Sequence, residues 1–218
     1  MRVILIAIFS IFVVGCKAPT KVEINDLEVS TNMVVEDVRP KKEKEFEMFS
    51  YIITNDAYAI TREGEPTAPA PLRILQHRVH QKLSGNQQPS SIKVHHFVIY
   101  KNSQAELKRS TLYGAFAGGI GAVLASTNQS HGVNVITNTI ASEDFYSIGD
   151  EYKRGLYTES ENPHEASVYV VYLDAEIDGN RKFIKVMTPI VTKKESEKAP
   201  IVFAVDTAIS YFLEQYYQ

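Results

Sequence analysis

The sequence predicts an α+β domain: a mixed or antiparallel sheet with two main helices packed on it, plus a glycine-rich apolar segment. Three observations lead there. Period-two runs of β-branched and aromatic residues recur along the chain, most clearly Tyr169, Val171, Leu173, Ala175 and Ile177. Two stretches with apolar residues three and four apart open on Pro71 and Pro200, and proline is well tolerated in the first turn of a helix. Asp178, Gly179 and Asn180 then separate two strand-like runs with the turn chemistry of a β-hairpin.

Composition narrows the class of function. At 218 residues, with 44% hydrophobic residues, 22% charged residues and a net charge of −3, the chain suits one folded domain and shows neither a disordered composition nor a nucleic-acid-binding charge. Cys16 is the only cysteine, so an intrachain disulfide and a cysteine-built metal site are excluded.

In chain order, Val22 to Val38 holds Leu27, Val29, Met33, Val35 and Asp37 at alternating spacing, which predicts one or two strands. Pro40 stops the ladder because it donates no hydrogen bond, and the charged run Lys41 to Glu47 reads as a solvated connection. Phe46, Phe49, Ile52, Ile53, Tyr58 and Ile60 fit a strand or a short helix and strand. Leu72, Leu75, Val79 and Leu83, closed by Gly85, predict the first helix. Ile92, Val94, His96, Val98 and Tyr100 predict one face of a strand whose other face is His95, Phe97 and Ile99. Residues 126–165 read as a long polar loop, and Lys193 to Lys198 as a surface link. Lys182 to Met187 returns the hairpin. Ile201, Val205, Ala208, Ile209, Phe212 and Tyr216 trace one stripe of the final helix.

Leu112 to Ala125 carries no charge, and Gly114, Gly118, Ala122 and Ala125 fall at helical spacing, which permits close backbone contact. Three readings stand: a buried structural segment, a self-association surface using Gly114, Gly118, Gly121 and Ala125, or a membrane-facing segment. It is too short to span a bilayer as a helix, and it lacks the lysine and Ser/Thr of a phosphate-binding loop.

Catalytic and metal chemistry find little support. His77 and His80 have a permissible metal-ligand spacing, but no carboxylate or third histidine stands nearby, so they read as solvated helix histidines beside Arg73, Arg78 and Lys82. His95 and His96 point to opposite faces of a regular strand and read as structural. Asp26, Glu36, Asp37 and Asp174 read as surface or strand-end carboxylates, and no G-x-S-x-G elbow exists. Tyr211, Tyr216 and Tyr217 read as the amphipathic rim of a core or as a contact surface. The expectation is a non-enzyme without metal or cofactor.

The N-terminus supplies the address. Arg2, the apolar run Val3 to Val14 broken by Ser10, and Gly15 before Cys16 have the layout of an export signal. Val13, Val14, Gly15 and Cys16 resemble the lipobox of bacterial lipoproteins. That resemblance implies a signal peptide over 1–15, lipid on Cys16, a tether over 16–21 and a single periplasm-facing domain over 22–218. Lys17 stands where some enteric lipoproteins carry an inner-membrane retention aspartate, which leans the expectation towards the outer membrane.

With the strand ending in Asp37, Val38, Arg39 and Pro40, the leucine-spaced helix, the hairpin at Asp178 and Gly179 and the terminal helix, the chain resembles envelope lipoproteins of the YajG and transport-auxiliary-lipoprotein kind. The resemblance implies helices on one face of a sheet and a non-enzymatic accessory or binding role in cell-envelope assembly or transport. It implies an envelope protein partner beside the membrane. Two alternatives stay open: an oligomerising or membrane-inserting lipoprotein, secretion-channel-like, using residues 112–125, and an envelope hydrolase in which the carboxylates or histidines above converge.

Overall fold

The computed structural model describes residues 20–25, 27, 33–53, 56–83, 91–103, 135–158, 161, 167–190 and 198–217. Cys16, the glycine-rich residues Gly114, Gly118, Gly121 and Ala125, and Asp26 lie outside these residues, so the readings placed on them stand as sequence expectations. The described strands are β1 (Val22–Glu23), β2 (Val34–Asp37), β3 (Glu47–Ile53), β4 (Asp56–Arg62), β5 (Thr67–Ala68), β6 (Ser91–Ser103), β7 (Ile136–Thr139), β8 (Val168–Ile177) and β9 (Asn180–Pro189). The helices are α1 (Pro71–Leu83), α2 (Ser142–Ser147) and α3 (Pro200–Tyr216), with 3-10 turns at Lys41–Lys44 and Glu151–Gly155.

The fold is mixed α+β, as the sequence predicts. A seven-stranded sheet runs β3-β4-β6-β8-β9-β7, antiparallel throughout this path, and β2 joins it in parallel beside the first half of β6. Because β8 occupies the other edge of β6, β2 and β4 share one edge, β2 along Ser91 to Val94 and β4 along Tyr100 to Ser103. The β8-β9 hairpin turns on Asp178 (φ 47°) and Gly179 (φ 85°). Two consecutive positive φ values match the right-handed twist of the flanking strands.

The two faces of the sheet are covered differently. On one, Tyr169, Val171, Leu173, Ala175 and Ile177 of β8 and Ile184 and Val186 of β9 meet Ile74, Leu75 and Val79 of α1 and Val205, Ile209 and Phe212 of α3. Side chains of this size stabilise the fold by about 1.5–3 kcal/mol each when fully buried. On the other face no long helix packs among the described residues. Ile60, Val98, Tyr100, Val170, Tyr172, Phe183 and Met187 are closed over by Phe145 of α2 together with Tyr152 and Leu156.

Several sequence expectations are corrected. The register of β6 shifts between Val94 and His96. Ile92 and Val94 therefore share the helix-covered face with Phe97 and Ile99, whereas His96, Val98 and Tyr100 face the other side. A bulge inserts a residue and so reverses the alternation that a regular strand would keep. Residues 136–155, read as part of a polar loop, form β7, α2 and the second 3-10 turn. The charged connection after Pro40 buries Glu43. His77 is buried rather than solvated, and neither of its ring nitrogens has a hydrogen-bond partner. Asp174 is fully buried rather than at the surface.

Candidate functional site

The bulge in β6 positions the most unusual side chains of the described residues. His96 stands on the face without long helices, with its ring stacked at 5.9 Å on Phe183 and tilted at 4.8 Å against Phe145. Nδ1 lies 2.6 Å from Glu43 Oε1, and Nε2 lies 2.6 Å from the Tyr146 hydroxyl. A carboxylate only accepts. In the neutral imidazole, Nδ1 donating to the Glu43 carboxylate leaves Nε2 to accept the hydroxyl hydrogen of Tyr146. The order carboxylate, imidazole, hydroxyl runs outward, from Glu43 with 1% of its side chain exposed, through His96 with 6%, to Tyr146, a residue 58% exposed.

Long-range pairing brings the three together. The parallel β2-β6 ladder continues with Val38 N donating to Val94 O (3.0 Å), and this lays the Pro40 to Lys44 turn alongside the bulge. Arg39, itself buried, grips Asp37 through Nε (2.9 Å) and Nη2 (3.1 Å) and also reaches Glu65 (3.2 Å), while Lys44 reaches Asp37 at 2.8 Å. Burial opposes ionisation of Asp37, but the hydrogen bonds from Arg39 and Lys44 outweigh it and hold its carboxyl at about 2. The backbone of Gly64 (φ 61°) packs against Lys44 to Phe46 so closely that a Cβ there would stand 2.8 Å from the Glu45 carbonyl carbon.

Tyr146 is delivered by α2, which Phe145 anchors. The Phe145 ring is 1% exposed, lies 5.1 Å from both Tyr172 and Phe183, and carries the Arg154 guanidinium 3.8 Å above its centroid. Ile140 N also donates to Phe183 O at 3.0 Å, so the entry to α2 is tied to β9. Asp174 stands opposite His96 across the β6-β8 ladder, and Arg181 neutralises it in bidentate fashion (2.8 and 2.5 Å). The second oxygen of Glu43 is buried without a hydrogen-bond partner, and one-sided satisfaction of this kind raises the cost of disturbing the contact.

A second network lies further along the same face. Buried Arg62 binds Glu151, Glu47 (2.6 Å) and the Glu45 carbonyl (3.1 Å); Lys42 reaches Glu151 at 2.9 Å and Tyr100 donates to it at 3.2 Å. Burial opposes ionisation of Glu151, and the hydrogen bonds from Lys42 and Arg62 lower its pKa nonetheless. Burial pushes the Tyr100 and Tyr172 hydroxyls far up. Tyr172 donates to Arg154 O (3.0 Å) and Asn102 to Gly155 O (2.9 Å), so these groups clamp the second 3-10 turn. The arrangement is a fastening between strands and turns.

The other sequence candidates do not gather. His95 is 3.7 Å from Glu176, Glu36 pairs with Lys93 at 2.9 Å, and His77 and His80 remain on α1. Tyr211 and Tyr216 pack partly against the helix-side core, and Tyr217 meets Tyr216 edge-on. Among the described residues no group of three or more His, Cys, Asp or Glu side chains is placed to hold a metal, and no helix is long and apolar enough to cross a membrane. Among the described residues, the sequence candidates that the sheet sets opposite each other are His96 and Asp174. Glu43 and Tyr146 carried no local signal, since the contacts that define them span 53 and 50 residues. No family model matches the chain, and neither a curated protein nor a solved structure shows significant similarity to it.

Proposed function

We propose that the chain is a membrane-anchored bacterial lipoprotein, held through lipid on Cys16, whose α+β domain is a non-enzymatic accessory or binding component of a cell-envelope assembly or transport system. The observation that carries this reading is Val13, Val14, Gly15 and Cys16 at the end of a short apolar run. The first described strand starts at Val22, six residues after Cys16, and pairs with β5. Six residues reach about 20 Å at full extension, so lipid on Cys16 keeps the domain beside the bilayer. Several acyl chains make such anchoring effectively permanent, whereas a single chain gives only marginal binding.

The test is fractionation of cells labelled with a radioactive fatty acid, with crosslinking in intact membranes to report envelope partners and self-association. Label on the parent chain, its loss in Cys16→Ser and release of the variant from membranes support the reading. A Cys16→Ser protein that still takes up label and sediments with membranes overturns it.

A further inference from the structure

The relay from Glu43 through His96 to Tyr146 does more than fasten α2 to the sheet. The Phe145 and Phe183 rings flank the imidazole, so its Nε2 faces the Tyr146 hydroxyl in an apolar setting. A fixed base within hydrogen-bond reach of a hydroxyl, itself oriented by a third group, is the arrangement that activates a weak nucleophile. The two buried phenols of this face have different surroundings: Tyr100 donates to Glu151 and Tyr172 to a backbone carbonyl, and neither is open to solvent. Tyr146 combines the imidazole with exposure.

We propose that Tyr146 is an acyl-acceptor site, a nucleophile assisted by His96 as general base with Glu43 as positioning residue, which takes an acyl group from an activated ester or thioester. Tyr146 Oη bonds to the acyl carbon as its hydrogen passes to His96 Nε2. Collapse of the tetrahedral adduct breaks the bond to the leaving heteroatom, and the imidazolium returns the hydrogen to the departing alcohol or thiol. The products are an aryl ester on Tyr146 and the protonated leaving group. No electron transfer or further reactant is needed. The inference goes beyond the proposed accessory role and holds whether or not Cys16 carries lipid.

The experiment acetylates the full-length chain with N-acetylimidazole under native conditions and follows each tyrosine by peptide mass spectrometry. Tyr217, 49% exposed, is the internal reference for Tyr146 at 58%. General-base assistance is worth about 10²-fold or more. The expected result is Tyr146 acetylation at least ten-fold faster than Tyr217, falling to the Tyr217 rate in the paired variant Glu43→Leu with His96→Phe. The charged groups facing His96 are Glu43 from the first 3-10 turn and the Asp174–Arg181 pair from β8 and β9. Glu43→Gln, whose side-chain amide can donate to Nδ1 and so place the ring hydrogen on Nε2, is expected to slow Tyr146 acetylation towards the Tyr217 rate while Tyr217 is unchanged; a purely structural contact, which the similar shape of glutamine preserves, leaves the Tyr146 rate in place. A Tyr146 rate less than ten-fold above Tyr217 in the parent chain overturns the proposal even if no variant folds, as does a rate that the paired variant leaves unchanged.

Discussion

His96 and Glu43 share a 2.6 Å hydrogen bond between side chains that are both almost fully buried, and the other oxygen of that carboxylate has no partner. Removing the imidazole alone strands a buried carboxylate, whereas removing both partners does not. His96→Phe is expected to cost about 3 kcal/mol, and adding Glu43→Leu is expected to recover most of that loss. Urea denaturation of the two single variants and the pair measures the coupling. Additive losses would mean that the contact is not a coupled pair.

Acid should loosen the turn that carries Glu43 before it touches the helix-side core. The carboxyl of Asp37 sits at about 2 against an ordinary 3.8, with burial overruled by Arg39 and Lys44. A depressed folded-state pKa gives stability that is present above the unfolded value and lost as pH falls through the folded one. Asp37→Asn is therefore expected to cost about 2 kcal/mol at pH 7, with the difference from the parent closing between about pH 4 and pH 2. Denaturation midpoints across that window check it; a difference independent of pH contradicts it.

Gly64 is held at φ 61° with the Lys44 to Phe46 backbone within 3 Å of where a Cβ would stand. Backbone atoms cannot swing aside as a side-chain tip can, and the left-handed conformation costs an L-residue about 1–2 kcal/mol by itself. Gly64→Ala is expected to lower stability by more than about 2 kcal/mol. Gly149→Ala, where nothing lies within 4 Å of the added carbon, is expected to change it by less than about 0.5 kcal/mol. Thermal melts of the two variants should differ accordingly, and similar melts would contradict the close approach.

His77 is buried on α1 with both ring nitrogens unpartnered. Exchanging an unsatisfied buried polar ring for an apolar side chain removes a desolvation cost of about 1–3 kcal/mol. His77→Leu is expected to leave stability unchanged or raise it by about 1 kcal/mol. Urea midpoints decide this, and a loss above about 1 kcal/mol would mean that His77 has a role its immediate contacts do not reveal.

The elements legible in the residues alone are those whose signals are local. Pro71 and Pro200 with their three-and-four apolar spacing mark α1 and α3, the alternation from Tyr169 to Ile177 marks the core face of β8, and Asp178 and Gly179 mark the hairpin. Each is a consequence of helix period, strand period or turn chemistry, which neighbouring residues suffice to express. The remainder depends on contacts between distant segments. The alternation in β6 reads straight through the bulge, because an inserted residue shows itself only against the partner strand, where His96 rather than His95 meets Asp174. Lys41 to Lys44 looks solvated until β2 pairs in parallel with β6 and lowers Glu43 onto the imidazole. Residues 142–147 look polar until Phe145 finds Tyr172 and Phe183. The relay is assembled from three segments that contact one another only when the sheet has closed, and contacts of that sequence separation leave no periodic trace in the residues that make them.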